Sequence, residues 1–248
     1  MNQAVKSAQL KILALTAGLL GFLLRTVLFA TGLDHKGLLI SGHWADTGVW
    51  VLTGLMVLGI FLLCRELKGP AAYQTAYPAS VFSAVGCILA GAAFVFCPME
   101  VSGSNLMIAE LVLRIGSVVA LVYLGFCRFT GRKPLFLMHC IVCLYLALRL
   151  VCQYRIWSAD PQIQNYCFYM GAHLALMLTA YQLAAFDAGS GSHKSLWGWG
   201  LAAIYLSLTA LPHCREPFLL LCCSIWVFTN LSTLKPPKEK APQDQEGR

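Results

Sequence analysis

The sequence predicts an all-α membrane protein, a polytopic bundle of about eight transmembrane helices with both termini in the cytoplasm. Only 12% of the 248 residues are charged and 58% are hydrophobic, whereas a soluble domain carries roughly 25% charged residues. The mean hydropathy is +0.68. Apolar runs follow one another from Leu10 to Leu234 with only short breaks. A water-soluble fold could not bury so much apolar surface, which excludes that class.

The apolar runs divide at Pro and Gly residues into eight candidate spans. Most are close to the roughly 20 residues that a helix needs to cross a bilayer. The first run contains Arg25 and has no clean cleavage site, so we interpret it as an uncleaved helix and not as a signal peptide. The seventh run is short and stops at Pro212, which leaves a re-entrant segment and a total of seven spans as the alternative. The predicted spans are 10–31, 48–64, 78–97, 106–127, 135–152, 163–186, 196–211 and 217–234.

These spans form one predicted transmembrane domain, residues 1–234, followed by a charged, Pro-rich cytoplasmic tail, residues 235–248, which we expect to be disordered. A weak internal similarity suggests two parallel four-helix repeats, 1–134 and 135–234. Arg25 and Arg149 end similar apolar stretches, and Pro98 and Pro212 are followed by Glu100 and Glu216. Parallel repeats of this kind occur in transporters.

Lysine and arginine are distributed unequally between the two sides of the predicted bundle. Three lie on one side (Lys36, Arg155 and Arg215), and three lie within spans. The other twelve lie on the opposite side. Because cytoplasmic loops carry the excess of basic residues, we assign that side to the cytoplasm. The expected location is the cell (plasma or inner) membrane. The twelve are Lys6, Lys11, Arg65, Lys68, Arg128, Arg132, Lys133, Lys194, Lys235, Lys238, Lys240 and Arg248.

No motif in the sequence indicates an enzyme. The run Gly198-Trp199-Gly200 fits a loose dinucleotide fingerprint, but it lies in an apolar span with no preceding strand. The net charge of +7 comes from residues at span edges, which is not a nucleic-acid footprint. Most of the eleven cysteines lie in apolar runs, as small buried residues do. We expect no cofactor and no catalytic constellation.

The candidate functional residues are the charges within apolar spans. Intramembrane charges are costly in lipid, usually face the bundle interior and often mark function. We predict that Glu110 pairs with Arg114, four residues later on one helix, and that Arg25, Arg114 and Arg149 converge in the outer half of the bundle. His173, which shares a helix face with Asn165 and Tyr169, completes the set. The candidate ligand-binding residues are Arg25, Glu110, Arg114, Arg149 and His173.

Two hypotheses about function follow from this cluster. Three arginines and one glutamate leave excess positive charge, which favours a small carrier or ligand-binding protein for an anionic small molecule or lipid head group. Alternatively, the charges are structural, and the chain is a non-catalytic membrane subunit or assembly partner of another membrane protein. The third possibility, an intramembrane enzyme or redox anchor, lacks a catalytic constellation. A metal site on the outer loops is a separate hypothesis, although a solvated loop and no metal is the preferred interpretation. Its ligands would come from Asp34, His35, His43, Asp46, Glu100, Asp160 and His213.

The topology can be tested with reporter fusions. Fusions after Arg132 and at the C-terminus should report the cytoplasm, and fusions after His43 and Asp160 should report the outside. A fusion after Lys194 tests whether the seventh helix crosses. If the His43 fusion and the C-terminal fusion report the same side, the eight-helix topology is wrong.

Overall fold

The structure, a computed structural model, describes residues 3–34, 39–40, 42–65, 79–98, 104–157 and 166–234. This part of the chain is all-helical and contains eight α-helices and no strand, only one isolated bridge between Leu33 and Leu39. The predicted fold class is therefore confirmed at the level of an all-α protein, and each predicted span coincides with a helix. The helices are α1 (Gln3–Thr31), α2 (Trp44–Arg65), α3 (Val81–Phe96), α4 (Ser104–Thr130), α5 (Phe136–Trp157), α6 (Cys167–Ala188), α7 (His193–Ala210) and α8 (Pro217–Thr233). The tail, 235–248, lies outside the described residues.

Four of these helices are long and apolar enough to cross a membrane, and the shorter α3 and α8 are apolar as well. Their outward faces carry large apolar side chains, among them Phe61 and Phe96, which are 66% and 75% exposed. Soluble monomers rarely expose continuous apolar surfaces of this extent. The helices therefore fit a membrane protein. The four long candidate segments are Ala8–Thr31, Trp44–Leu62, Leu106–Thr130 and Phe136–Arg155.

Successive helices along the chain run in opposite directions. Helices α5 to α8 pack in sequence, the α1–α2 hairpin packs mainly on α7, and the α3–α4 hairpin packs mainly on α8 and α5. Neighbouring residue pairs show that α2, α4, α6 and α8 run opposite to α1, α3, α5 and α7. The defining pairs are Leu24–Gly48 and Leu13–Gly59, Thr53–Tyr205 and Ile60–Gly198, Ser80–Arg128 and Gly91–Leu121, Ser117–Ile141 and Glu110–Arg149, His139–Asp187 and (through Glu216) Gln153–Tyr169, Gly171–Leu206 and Phe186–His193, and Ser83–Asn230 and Phe96–Phe218.

Small residues bring the helices into close contact. A Cβ atom added to Gly86 would lie 2.2 Å from Thr229 Oγ1 and 3.2 Å from the Trp226 Cα, so α3 and α8 would have to separate. One added to Gly21 would lie 2.4 Å from Thr209 Oγ1. Small residues at such interfaces are typical of membrane helices, where backbone approach and van der Waals packing drive association.

Two glycines end their helices in the left-handed conformation that favours this residue. Gly131 ends α4 with a φ of 70°, and Gly189 ends α6 with a φ of 87°. Because α6 ends only at Gly189, it continues beyond the predicted end at Phe186 and includes Asp187. The seventh helix is regular over 18 residues and passes into a single 3-10 turn, Leu211–His213. Pro217 then occupies the first turn of α8, where its missing N–H costs nothing.

Candidate functional site

Two acidic and two basic side chains meet where α4 begins and α5 ends. Glu110 and Arg149 are 0% and 1% exposed, and Arg114 is 9% exposed. Glu110 Oε1 accepts hydrogen bonds from Arg114 Nη2 at 3.2 Å and from Arg149 Nη1 at 2.5 Å. The pair between Glu110 and Arg114, expected from their spacing of four residues, is present. One carboxylate thus holds arginines from two helices together.

Arg149 occupies the centre of this group. Its Nη1 also donates to the Pro98 carbonyl oxygen at 3.0 Å, and its Nη2 approaches Cys97 Sγ at 3.1 Å. Arg114 Nη2 donates to the same Pro98 carbonyl at 3.3 Å. Cys97 and Pro98 follow the last residue of α3, where backbone carbonyls carry the negative end of the helix dipole. Both guanidinium groups therefore lie at a helix end that favours positive charge.

Glu216 supplies a second carboxylate that the sequence analysis did not include. It is 3% exposed and directly precedes Pro217 at the start of α8. Its Oε1 pairs with Arg149 Nη2 and accepts from Gln153 at 3.4 Å, and its Oε2 accepts from the Tyr169 hydroxyl at 2.8 Å. An acid between Pro212 and Pro217 looks like a loop residue in sequence. The only hint was its match with Glu100, which lies outside the described residues.

The four charges balance one another. Counting Glu110 alone gave an excess of positive charge, and that count has to be corrected because Glu216 is buried against Arg149. We call Glu110, Arg114, Arg149 and Glu216 the Arg–Glu cluster. Some of its polar atoms still have no hydrogen-bond partner within the described part of the chain, namely Glu110 Oε2 and the Nε atoms of both arginines.

Arg25 has different neighbours. It is 4% exposed, and its guanidinium carbon lies 4.7 Å from the ring centre of Phe168 and 5.2 Å from that of Phe29. Its charge interacts with Asp46 in the first turn of α2. Arg114 and Arg149 thus meet at one carboxylate, while Arg25 contacts aromatic rings on α1 and α6. Phe168 directly precedes Tyr169, so α6 connects the two places.

His173 lies one turn beyond Tyr169 on α6. It is fully buried, its Nδ1 lies 3.1 Å from the Tyr169 carbonyl oxygen, and the two rings are 4.4 Å apart. Both residues face the bundle interior, as their shared helix face indicated, while Asn165 is outside the described residues. His173 Nε2 has no hydrogen-bond partner in the residues that the structure describes. The ring therefore extends the polar region inward from the Arg–Glu cluster.

A second buried pair lies at the opposite end of α5. His139 Nδ1 is 2.5 Å from Asp187 Oδ2, and the imidazole stacks on Trp226 at 6.4 Å. Sequence patterns miss this pair because the predicted sixth span ends at Phe186, one residue before Asp187. Asp187 also lines a cavity of about 460 Å³ together with Lys133 and Tyr123. Each end of α5 is thus held by a buried contact between ionisable side chains.

The described residues contain no group of three His, Cys, Asp or Glu side chains arranged to hold a metal. Of the metal ligands that the sequence suggested, His35, Glu100 and Asp160 lie outside this part of the chain, and so does the His213 side chain. All eleven cysteines are free. A comparison with protein-family models, characterised proteins and solved structures finds no significant match to this chain.

We predict that both glutamates of the Arg–Glu cluster are needed for the stability of the protein. Glu110→Gln and Glu216→Gln should each lower the melting temperature, because Arg149 then lacks one of its two carboxylates. Removing one partner of a buried ion pair costs about 3–5 kcal/mol. Asp34→Asn, at an exposed acid, should cost about 1 kcal/mol or less. The check is the thermal unfolding of the purified protein followed by tryptophan fluorescence. Equal melting of Glu216→Gln and wild type would contradict the assignment of Glu216 to the cluster.

Proposed function

We propose that this chain is a multi-pass protein of the cell membrane with eight spans and cytoplasmic termini. The alternating helix directions support this proposal, because they bring most of the described basic residues at helix ends to the same end of the bundle. That end, which we call the basic end, holds Arg65, Arg128, Arg132, Lys133 and Lys194, and the opposite end holds Arg155 and Arg215. The positive-inside rule assigns the basic end to the cytoplasm. The Arg–Glu cluster then lies in the outer half of the bundle.

We further propose that the protein binds, and as a small carrier moves, an anionic small molecule at the Arg–Glu cluster. The observation that carries this proposal is that the two carboxylates bound to Arg149 belong to backbone segments of different rigidity. Glu110 belongs to the regular helix α4, whereas Glu216 belongs to the short connection between the 3-10 turn and α8. A carboxylate on a connection can move away with less disruption of packing than one within a helix.

An incoming carboxylate or phosphate would then exchange with Glu216. Arginine presents planar, forked donors that suit both groups. The anion would accept hydrogen bonds from Arg149 and from Tyr169 while Glu216 turns toward the outside. The unpaired Nε atoms of Arg114 and Arg149 offer further donors without disturbing Glu110. In this scheme Glu216 occupies the ligand position in the unbound state, and exchange exposes or covers the buried polar region.

The alternative function is that of a non-catalytic membrane subunit or assembly protein. The observation that favours it is the charge balance, because two glutamates neutralise two arginines without an added anion. The cluster would then fix the packing of α4, α5 and α8, and the lipid-facing helices would contact a partner membrane protein. Because this scheme involves no exchange at Glu216, it predicts no response to anions.

Anion binding can be measured by thermal unfolding in nanodiscs of zwitterionic lipid with added phosphate, citrate or succinate. One anion should raise the melting temperature of the wild type, since a ligand at 100 times its Kd stabilises by about 2.7 kcal/mol. Glu216→Gln should increase this response, because the competing carboxylate is lost. Arg149→Met should abolish it, whereas Arg155→Met, an exposed arginine on the same helix, should retain it.

Nanodiscs containing anionic lipid separate a free anion from a lipid head group as the source of the ligand. Stabilisation by the lipid alone, lost in Arg149→Met, would assign the site to a head group. If no soluble anion and no anionic lipid produces a shift in melting that Arg149→Met removes, in the wild type or in Glu216→Gln, the ligand-binding proposal fails and the structural role of the cluster stands.

A further inference from the structure

An apolar groove runs along the outside of the bundle between α2 and α7, close to the basic end. It encloses about 500 Å³. The two helices approach each other at Gly198, where an added Cβ atom would lie 3.9 Å from Ile60, so the groove floor has no bulky side chain. Phe61 and Trp199 on its walls are 66% and 39% exposed. The lining is completed by Val57, Cys64, Arg65, Lys194, Ser195 and Ala202.

Two basic side chains stand at one end of this groove. Arg65 is the last residue of α2, and Lys194 is the second residue of α7. Both are exposed, and neither has a hydrogen bond or ion pair among the residues that the structure describes. The Ser195 hydroxyl and the backbone N–H groups at the start of α7 lie beside them, and helix N-termini favour anions. The groove therefore combines an apolar length with a cationic end.

We propose that this groove holds one anionic glycerophospholipid of the cytoplasmic leaflet. Its phosphate would lie between Arg65 and Lys194, and one acyl chain would follow the groove past Gly198 toward Ala202. Basic pockets between transmembrane helices on the cytoplasmic side bind anionic head groups, and Arg and Lys both serve as phosphate ligands. The site is separate from the Arg–Glu cluster and depends only on the membrane placement proposed above.

The arrangement of charge favours a lipid over other occupants. The walls beyond Ser195 offer apolar side chains and no charge, so a peptide strand would leave its backbone groups without partners. A free phosphate would use the cationic end and leave the apolar length empty. A phospholipid fits both parts of the groove. Its charged head group can contact the basic residues at one end while its acyl chain lies along the apolar walls.

The experiment is native mass spectrometry of the full-length protein released from nanodiscs made with phosphatidylglycerol or phosphatidylcholine of the same acyl chains. The wild type should retain one phosphatidylglycerol and much less phosphatidylcholine. The double variant Arg65→Gln/Lys194→Gln should reduce the retained phosphatidylglycerol by more than tenfold. Each basic residue near the membrane surface contributes about fivefold to the affinity for an anionic lipid. The retained phosphatidylcholine should not change.

Two further variants make the result specific to the groove. Lys133→Gln removes an exposed lysine at the basic end that lies outside the groove, and it should retain phosphatidylglycerol like the wild type. Gly198→Leu fills the groove floor, where the space is open, and it should lower the retention of both lipids. Equal retention of the two lipids by the wild type would overturn the proposal, and so would an equal loss in Lys133→Gln. The response to soluble anions at Arg149 is unaffected by either outcome, so the two proposals fail independently.

Discussion

Arg149 holds two parts of the bundle together that are far apart in the sequence. Its guanidinium pairs with Glu110 on α4 and with Glu216 before α8, and it donates to the Pro98 carbonyl at the end of α3. An unpaired charge in lipid would be costly, so acceptors around this buried guanidinium stabilise its position. Because α3, α4, α5 and the start of α8 each supply one group, the position of one side chain determines how these elements meet at the end opposite the basic end.

Elsewhere in the described part of the chain, close packing of small residues joins most of the helices. The α1–α2 hairpin packs on α7 through small residues such as Gly21, and α3 packs on α8 through Gly86. These contacts depend on shape and on close backbone approach, which suffice where the surrounding lipid is as apolar as the helices. The second buried pair, His139 with Asp187, ties α5 to α6 at the basic end. Polar contacts therefore concentrate near the two ends of α5, with apolar packing between them.

The sequence predicted the helices well and the site in part. Apolar runs and their Pro and Gly breaks located all eight helices, and a spacing of four residues predicted the pair between Glu110 and Arg114. Glu216 and Asp187 were missed for a common physical reason. Each stands at a helix end, where a sequence pattern cannot distinguish an acid in solvent from one turned into the bundle. Which helices are neighbours, such as α3 and α8, also depends on long-range packing that periodicity does not encode.

The central claim is that Arg149 and Glu216 stabilise the bundle by interacting with each other. A double-mutant cycle with Arg149→Met, Glu216→Gln and the double variant measures this directly, with unfolding free energies from SDS titration in mixed micelles. We expect the double variant to be more stable than the sum of the single effects predicts, with an interaction energy of about 1–3 kcal/mol. Additivity of the two single effects within about 0.5 kcal/mol would contradict the account.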